Sequence, residues 1–389
     1  MDKATLTIED RDWRFKRVRK MMSAKGIDAL FVSADSVAEG PVRYFVGEFF
    51  KVGYGFAFVL FTHEKCILFS GVEGRSYMAR NYEDYIKEPW TDELRNISAP
   101  AFIKALKELG LESKKIGLNE TFFPAKVLNG LKQETPHAVF TDITMDFQAL
   151  RRTKTEREID ILQACTDICE DIWNFNKTFI KPGMLDYKIT AEWDYRMLAN
   201  HANNTFNLMQ NNPYDATVPC WPSYHPPKAV KVGDTILTEI TCVLHGYWTQ
   251  RVACYSMGDP KPIMQELFEA NKLAQEEAAK MIKPGVAAAD VARLIDQVIN
   301  NAGFLNPGQF HTGPRAHHCG LEVDEGTLSP EADFILGENE VIVIHPGAAV
   351  KDWSMGKPGM FGPGNMYRIT KDGCVRMSKL PAEFTVIEC

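Results

Sequence analysis

The chain has 389 residues, of which 45% are apolar and 24% are charged, and its formal net charge is −7. This length suits two domains, and the composition is that of a globular protein with a sizeable core. The acidic balance argues against nucleic acid or an anionic membrane as a partner, because either would need a basic face. The sequence has no apolar run near the roughly 18 residues that span a bilayer.

The N-terminal residues and the cysteines bear on the compartment. Residues 1–13 lack the apolar stretch of a signal peptide. Most of the nine cysteines lie in apolar contexts that are typical of buried, reduced thiols. We therefore expect a cytoplasmic protein without a membrane partner.

The first 150 residues alternate helical and strand patterns. The predicted order is a helix, a strand, a hairpin of two strands, a helix and a short strand, at residues 13–25, 29–33, 56–62, 66–70, 99–109 and 115–118. Such alternation is typical of a layered α/β domain. A charged turn follows near residues 150–157, and a long helix is predicted from about 156 to 179. We therefore predict domains at residues 1–151 and 152–389.

The second half contains a short internal sequence repeat. Residues 179–184 (FIKPGM) and 281–286 (MIKPGV) each end one helical stretch and precede another. In both, Pro follows the last helical turn and Gly supplies a permissive turn before the next helix. The repeat indicates an internal duplication, although IKPG is also a plausible turn between any two helices.

Histidines and acids concentrate in the strands and loops of the second half. Two strands are predicted at residues 234–244 and 245–252, with Gly246 at the tight connection between them. Five of the nine histidines lie in this half's strand and loop patterns: His245, His311, His317, His318 and His345. A single histidine is more often structural than catalytic. Clustering beside glycine-rich loops and acids favours a functional site for the group.

These segments resemble the pita-bread superfamily, which contains methionine aminopeptidases, aminopeptidase P, prolidase and creatinase. The likeness covers nearly the whole chain, and its strongest parts are residues 152–158, 179–184, 233–234, 246–247, 281–286 and 320–325. It implies an α/β (α+β) fold class. An N-terminal creatinase-like α/β domain would precede a C-terminal pita-bread domain with an internal pseudo-twofold.

The resemblance also locates a metal-ligand set. Peptidases of the superfamily hold two divalent metal ions with two aspartates, a histidine and two glutamates. These positions fall, in chain order, on Glu239, Gln250, His317, His345 and Gly364. Only Glu239 remains anionic, and a dinuclear site needs several carboxylates to offset two cations. We expect no dinuclear site and no cofactor. A mononuclear site of Glu239, His317 and His345 stays open as an alternative, since two histidines and a carboxylate suit one metal.

Creatinase is the member that this chain resembles in length, architecture and loss of metal ligands. That resemblance implies metal-free hydrolysis of a C–N bond in a small guanidino acid by histidine and glutamate groups. It places a catalytic histidine at His225. Creatinase carries a glutamate where this chain has Val252, so the implied chemistry is not simply that of creatinase.

The remaining assignments follow from side-chain chemistry. Glu239 is interpreted as base, nucleophile or cation anchor, and His317 and His345 as an acid/base pair. The predicted substrate-binding residues of this domain are Gln250, Arg251, Asn365, His318 and Glu325. Gln250 and Asn365 would donate hydrogen bonds to a developing oxyanion, and Arg251 would bind a substrate carboxylate. Asp324 and Glu325 are interpreted as orienting residues, with a solvated turn as the alternative.

The N-terminal domain also contains candidate residues. Residues 43–56 resemble the segment that reaches over the neighbouring subunit's pocket in creatinase-like dimers. Phe49 and Tyr54 would then help to bind substrate, and we expect a homodimer. The alternative is an ordinary apolar strand and turn of the N-terminal core.

The sequence therefore predicts a metal-independent hydrolase that acts on a C–N bond of a small polar or zwitterionic metabolite. Guanidino, ureido or cyclic amidine acids are the expected substrates. The alternatives are a mononuclear metal-dependent hydrolase or lyase, and a non-catalytic pita-bread protein that binds a small molecule.

Overall fold

A computed structural model describes residues 6–47, 50, 52, 55–71, 89–217, 220–306 and 315–389. The chain divides into two compact units, Met1–Arg151 and Arg152–Cys389. No helix in the described ranges is long and apolar enough to cross a membrane.

The first unit is an α/β layer, as predicted. Its elements are α1 Ile8–Lys25, β1 Ala29–Asp35, α2 Gly40–Val46, β2 Phe56–Thr62, β3 Cys66–Ser70, β4 Glu93–Asn96, α3 Ala99–Glu108, β5 Lys115–Leu118, α4 Ala125–Glu134, β6 Val139–Asp142 and α5 Thr144–Arg152. The strands form one sheet in the order β4-β3-β2-β1-β5-β6. Strand β1 pairs antiparallel with β2 and parallel with β5.

Aromatic rings fill the core of this unit on one face of the sheet. The ring of Phe31 packs against four other phenylalanines, with centroids 5.2–5.9 Å apart: Phe58, Phe69, Phe102 and Phe123. Offset and edge-on contacts at these distances stabilise a core beyond the burial of apolar area.

The second unit alternates helix pairs with strands. Its elements are α6 Glu156–Phe179, α7 Asp186–Ala199, β7 Asn204–Thr205, β8 Leu208–Asn212, β9 Asp215–Ala216, β10 Thr235–Leu244, β11 Tyr247–Met257, α8 Pro262–Met281, α9 Ala288–Asn301, β12 Ala316–His318, β13 Thr327–Leu328, β14 Val341–Ile344, β15 Gly347–Ala349, β16 Gly359–Phe361, β17 Asn365–Ile369, β18 Cys374–Arg376 and β19 Phe384–Ile387. One sheet has the order β19-β11-β10-β7, with β8 also paired to β10, and a second has the order β13-β12-β14-β17-β18.

The internal sequence repeat corresponds to two equivalent helix–turn–helix units. The IKPG turns connect α6 to α7 and α8 to α9. Gly183 and Gly285 have φ values of 88° and 91°, which favour glycine. The backbone N–H of Gly183 donates to Val230, and that of Gly285 donates to Leu336. The same turn therefore anchors each helix pair to its own downstream segment, which supports the pseudo-twofold.

The two larger sheets meet where β11 approaches the segment before β17. Val252 and Gly364 form an isolated antiparallel bridge with both backbone hydrogen bonds, at 3.2 and 2.9 Å. Helix α8 supports this junction through one buried side-chain amide. Asn271 donates to the carbonyls of Met360 and Gly362. The bridge brings side chains of β11 next to those that follow β14.

Candidate active site

The first two site residues lie on the β10–β11 hairpin. Glu239 pairs with Val252 and Thr241 pairs with Gln250 across the two strands. Paired residues point to the same face of a sheet, and so do residues two apart along a strand. Glu239 and Gln250 are therefore diagonal neighbours on one face, and both are buried.

Two histidines reach the same place from the other sheet. His317 on β12 pairs with Val343 on β14, and His345 follows two residues after Val343. The alternation of side chains along β14 puts His345 on the same face as His317. The two imidazole rings have centroids 5.0 Å apart and an interplanar angle of 62°.

These four side chains line one cavity of about 260 Å³. The remaining described lining residues are Phe206, Thr217, Val323, Asp324 and Phe361. Pockets for drug-sized ligands usually enclose about 300–1,000 Å³. The cavity therefore suits a small molecule. The structure thus brings together Glu239, Gln250, His317 and His345, as the sequence predicts.

A hydrogen bond between two site residues lies in the cavity wall. The amide oxygen of Gln250 lies 3.0 Å from Nε2 of His317, and the Gln250 side chain is near enough to Glu239 to lower the pKa of that carboxyl. At Nδ1, His317 can donate to the carbonyl of His318 at 3.2 Å or accept from the Cys319 thiol at 3.7 Å. His317 therefore has partners in either tautomer.

Burial sets the charges of these groups. Removal from water raises the pKa of Glu239 from its ordinary value of 4.5 to about 7, although the hydrogen bond from Gln250 opposes this shift. Burial lowers the pKa of His317, against the attraction of Asp324. Burial and the neighbouring His317 hold the pKa of His345 well below its usual range. These shifts favour the neutral form of both histidines and bring the pKa of Glu239 close to neutral pH.

His345 has unusual hydrogen bonding. The residue is only 1% exposed, and neither ring nitrogen has a hydrogen-bond partner among the described residues. Its ring contacts Phe361, with centroids 4.8 Å apart. A buried polar group without partners is costly, and His345 lines the cavity, so a bound molecule could satisfy both nitrogens.

The space that a side chain of the fifth family ligand would need at Gly364 is filled by Val252 and His345. A Cβ at Gly364 would lie 2.7 Å from Cβ of Val252 and 3.0 Å from Cβ of His345. No larger residue fits there without displacement of one of these two. The local structure is thus built around glycine.

The donor set does not fit the two metal ions that the family peptidases hold. Of the five positions, only Glu239 supplies a carboxylate, Gln250 is a neutral amide and Gly364 has no side chain. Two adjacent divalent cations need bridging, deprotonated carboxylates. Within the described ranges, no group of three or more His, Cys, Asp or Glu side chains is arranged to hold a metal.

Two predicted substrate-binding residues face away from the cavity. Arg251 lies between Gln250 and Val252 on β11, so its side chain points to the opposite face. Its guanidinium lies 4.8 Å from the ring centroid of Trp173 and donates to the carbonyl of Gly364. Asn365 donates to Gln275 of helix α8 at 2.6 Å. Neither residue lines the cavity. Arg251 alternates with Gln250 along β11, and Asn365 pairs with Ile344, which alternates with His345.

Three other predicted residues lie outside the cavity lining as well. His318 is bonded to Glu340 at 2.7 Å and to the carbonyl of Gly326 at 3.0 Å. Glu325 forms a buried ion pair with Lys154 at 2.8 Å. His225 lies 3.5 Å from Asp186 and is partly exposed. These three residues are therefore not part of the site at the cavity. Phe49, Tyr54 and His311 lie outside the described residues.

The sequence reasoning did not find the apolar wall of the cavity. Phe206, Val323 and Phe361 come from short strands and loops, where no periodic pattern identifies a buried face. The sequence predicts Asp324 only as an orienting acid. Its carboxylate accepts hydrogen bonds from the backbone of Gly326 and from Thr327, and it lines the cavity.

The fold and the site define a two-domain protein, with a creatinase-like α/β domain followed by a pita-bread domain. The chain belongs to the metallopeptidase family M24, a family of hydrolases. The model described as "Metallopeptidase family M24" matches residues 160–377, and that described as "Creatinase/Prolidase N-terminal domain" matches residues 14–153. The predicted fold class is thereby confirmed.

Individual relatives are distant but match over almost their whole length. The Xaa-Pro dipeptidase of Pyrococcus horikoshii is 24% identical over 375 residues, which cover 95% of this chain and 98% of the relative. The X-Pro aminopeptidase structure from Thermotoga maritima has a TM-score of 0.79 at 22% identity, over 96% of this chain and 99% of that chain. Dipeptidase PepE from Mycobacterium ulcerans has a TM-score of 0.81 at 18% identity, over 99% and 100%. At these identities the structures show a shared fold alone.

Proposed function

We propose that this chain hydrolyses a C–N bond in a small polar metabolite by acid/base catalysis from Glu239, and that it does so without a pair of metal ions. The main support is Glu239 itself, a buried carboxyl in a small cavity that is also lined by the hydrogen-bonded pair Gln250 and His317. A general base works best when its pKa is near the operating pH, and the pKa of Glu239 is about 7.

The proposed reaction begins with a water molecule in the cavity. Ionised Glu239 takes a proton from this water while the water oxygen forms a bond to the carbon of an amidine, guanidino or ureido group. The π electrons of that carbon move onto its heteroatom to give a tetrahedral intermediate. Protonated Glu239 then returns the proton to the leaving nitrogen as the C–N bond breaks. The carboxylate is regenerated and the atoms of water are divided between the two products.

The two histidines would act as neutral partners. Neither of the two buried ring nitrogens of His345 has a partner among the described residues, and its N–H could donate to the heteroatom that gains charge in the intermediate. His317 would hold Gln250 in place and thereby orient the carboxyl of Glu239. Neutral imidazoles suit both roles, since burial lowers the pKa of each.

A metal-dependent peptidase is the competing function, and the names of the relatives favour it. Its weakness is the donor set, in which one carboxylate stands where the family pattern has four. Cleavage of Xaa-Pro dipeptides only in the presence of added divalent cations would support this competitor and contradict our proposal.

The decisive experiment is an activity screen of guanidino, ureido and amidine compounds, with release of ammonia, urea or an amine as the readout. We expect turnover in the presence of a chelator, and a kcat that falls by roughly 10²–10⁴-fold in Glu239→Gln. Glu338→Gln is the matched control, because Glu338 is exposed on the same unit. Equal activity of Glu239→Gln and wild type on an identified substrate would refute the role of Glu239.

A further inference from the structure

The first of two buried amides on helix α8 holds the backbone on both sides of Phe361. Asn271 donates to the carbonyls of Met360 and Gly362, each at 2.9 Å. A primary amide has two N–H donors, so both donors of Asn271 bind this one segment. Phe361 lies between the two carbonyls, and its ring lines the cavity. One wall of the cavity is therefore fixed to helix α8.

The second buried amide, Gln275, lies one turn further along the same face of α8. Its nitrogen donates to the carbonyls of Ile344 and Pro363, both at 2.7 Å. The Ile344 carbonyl belongs to the peptide bond that leads into His345. The Pro363 carbonyl belongs to the peptide bond that leads into Gly364, which packs against His345. Gln275 thus holds the backbone of His345 and the segment beside it.

The oxygen of Gln275 is occupied as well. It accepts from the side-chain amide of Asn365 at 2.6 Å and from the hydroxyl of Tyr367 at 3.3 Å. With two donors and two acceptor positions in use, the amide has no hydrogen-bonding capacity left. A buried polar network that is fully satisfied favours a single arrangement of its members. Gln275 therefore fixes β17 and the end of β14 in one register.

His345 depends on this support more than a usual active-site histidine does. Such a histidine is commonly oriented by a hydrogen bond to its second ring nitrogen, and the described part of the chain supplies none to His345. Its backbone N–H donates to the carbonyl of Arg315 at 3.1 Å. Its ring contacts the rings of Phe361 and His317, with centroids 4.8 and 5.0 Å apart. Backbone position and ring packing therefore orient the imidazole.

We propose that Gln275 is a positioning residue, which holds the imidazole of His345 in its orientation toward the cavity from the opposite side of the sheet. Asn271 assists by holding Phe361, against which that ring packs. Gln275 is not part of the described cavity lining, so it would act through His345 alone. The inference rests on the proposed function only for the use of His345 in the reaction, and the positioning itself is independent of turnover.

NMR of the histidine rings tests the positioning directly. Histidine-selective labelling of the full chain gives the ring signals, and His345→Gln identifies those of His345. We expect Gln275→Met, which keeps the size of the side chain but removes all four hydrogen bonds, to shift or double these signals. The ring signals of His318 should stay in place, because Glu340 holds that ring. The matched control is Gln265→Met, on the exposed side of the same helix, which should move neither set.

Kinetics supply the second measurement, on any compound that wild type turns over. We expect kcat of Gln275→Met to fall by roughly 10–100-fold with a nearly unchanged KM, because a displacement of about 1 Å at a reacting group can cost that much. Gln265→Met should match wild type. A rise in KM alone would show that Gln275 supports binding of the substrate rather than the orientation of His345, and would overturn the proposal.

The outcomes separate the positioning from the reaction. Unchanged His345 signals in folded Gln275→Met would overturn the positioning role. If Gln275→Met does not fold, Tyr367→Phe removes only the 3.3 Å bond to the Gln275 oxygen, and unchanged His345 signals in that variant would overturn it equally. Displaced His345 signals without turnover of any candidate compound by wild type would support the positioning and reject the proposed hydrolysis. Displaced signals with full turnover in Gln275→Met would support the positioning and reject a role of His345 in the reaction.

Discussion

The amide oxygen of Gln250 lies 3.0 Å from Nε2 of His317, and the same side chain lowers the pKa of the neighbouring Glu239 carboxyl. An amide presents a donor at one end and an acceptor at the other. When Glu239 is ionised, the amide N–H donates to it and the amide oxygen accepts from His317. When Glu239 is protonated, a reversed amide fits both neighbours, with the His317 proton on Nδ1. Gln250 therefore links the protonation of Glu239 to the tautomer of His317.

This link predicts the pH dependence of the reaction. If ionised Glu239 is the base, kcat/KM rises with pH and levels off above the pKa of about 7. The hydrogen bond from Gln250 lowers this pKa, so Gln250→Leu should move the rise to higher pH. Gln265→Leu, on the exposed side of helix α8, should leave it unchanged. A pH profile of Gln250→Leu that is lower in height but unshifted would show that Gln250 does not tune Glu239.

The raised pKa of Glu239 also predicts a loss of folding stability at neutral and higher pH. The folded-state pKa of about 7 lies above the ordinary 4.5, so the folded protein binds this proton more tightly than the unfolded chain does. The unfolding free energy therefore falls as the pH rises from about 4.5 to about 7. Above that range the cost is about 3 kcal/mol, at about 1.4 kcal/mol per pKa unit.

Glu239→Gln should remove this cost. The variant is expected to be more stable than wild type by up to about 3 kcal/mol above pH ~7, and the difference should vanish near pH ~4.5. Urea denaturation at several pH values measures it, with Glu338→Gln as the exposed control. A difference that does not depend on pH would mean that Glu239 is not the titrating group.

The Lys154–Glu325 pair predicts a second stability effect. Both side chains are essentially fully buried, and Glu325 also accepts a hydrogen bond from the backbone of Leu321 at 3.0 Å. Lys154→Met would leave a buried carboxylate without its cation and should lower the unfolding free energy by about 3–5 kcal/mol. The second change Glu325→Gln keeps an acceptor for Leu321 without the charge, so the double variant should regain part of the loss.

The exposed residue Lys371 gives the control for this pair, because Lys371→Met also removes a lysine charge but uncovers no buried carboxylate. Chemical denaturation of all four proteins would measure the effect. If Lys154→Met were no less stable than Lys371→Met, the ion pair would contribute nothing to the fold.

The sequence predicts the site most successfully where residues lie in regular strands. Glu239, Gln250, His317 and His345 converge on one cavity, as their family positions imply. Strand alternation also explains why Arg251 and Asn365 face away from the cavity. Arg251 adjoins Gln250, so a strand that points Gln250 inward must point Arg251 outward. The period-two rule could therefore have excluded Arg251 from the sequence alone.

The rest of the cavity was not predictable, for physical reasons. Phe206 and Val323 lie in short irregular connections, where burial depends on contacts with remote segments rather than on a local period. The hydrogen bond between His318 and Glu340 is equally non-local, because the two residues belong to different segments of the chain. Sequence patterns identify a candidate acid or histidine. Only the packed structure shows whether its side chain is already bonded to another residue.

The tight packing around Gly364 predicts the effect of adding a side chain at the position of the fifth family ligand. A Cβ at this position would lie 2.7 Å from Cβ of Val252 and 3.0 Å from Cβ of His345. Gly364→Ala should therefore lower the unfolding free energy by about 1–3 kcal/mol, as overpacked cores do. Gly373→Ala is the matched control, because a Cβ there meets no atom within 4 Å. In a double-mutant cycle, Val252→Ala should relieve part of the loss, since it removes the nearest obstructing atoms.

The same contact explains why one carboxylate would not rebuild a metal site. Gly364→Glu has to displace Val252 or His345, while Gln250 and His345 still supply no carboxylate for a second cation. A metal that bound this variant would raise its apparent stability by mass action. We therefore expect thermal unfolding of Gly364→Glu to be unchanged by Mn²⁺ or Zn²⁺ at concentrations that leave wild type unaffected. Metal-dependent stabilisation of Gly364→Glu, but not of wild type, would show that the pocket needs only one acid to recover the metal chemistry of its family.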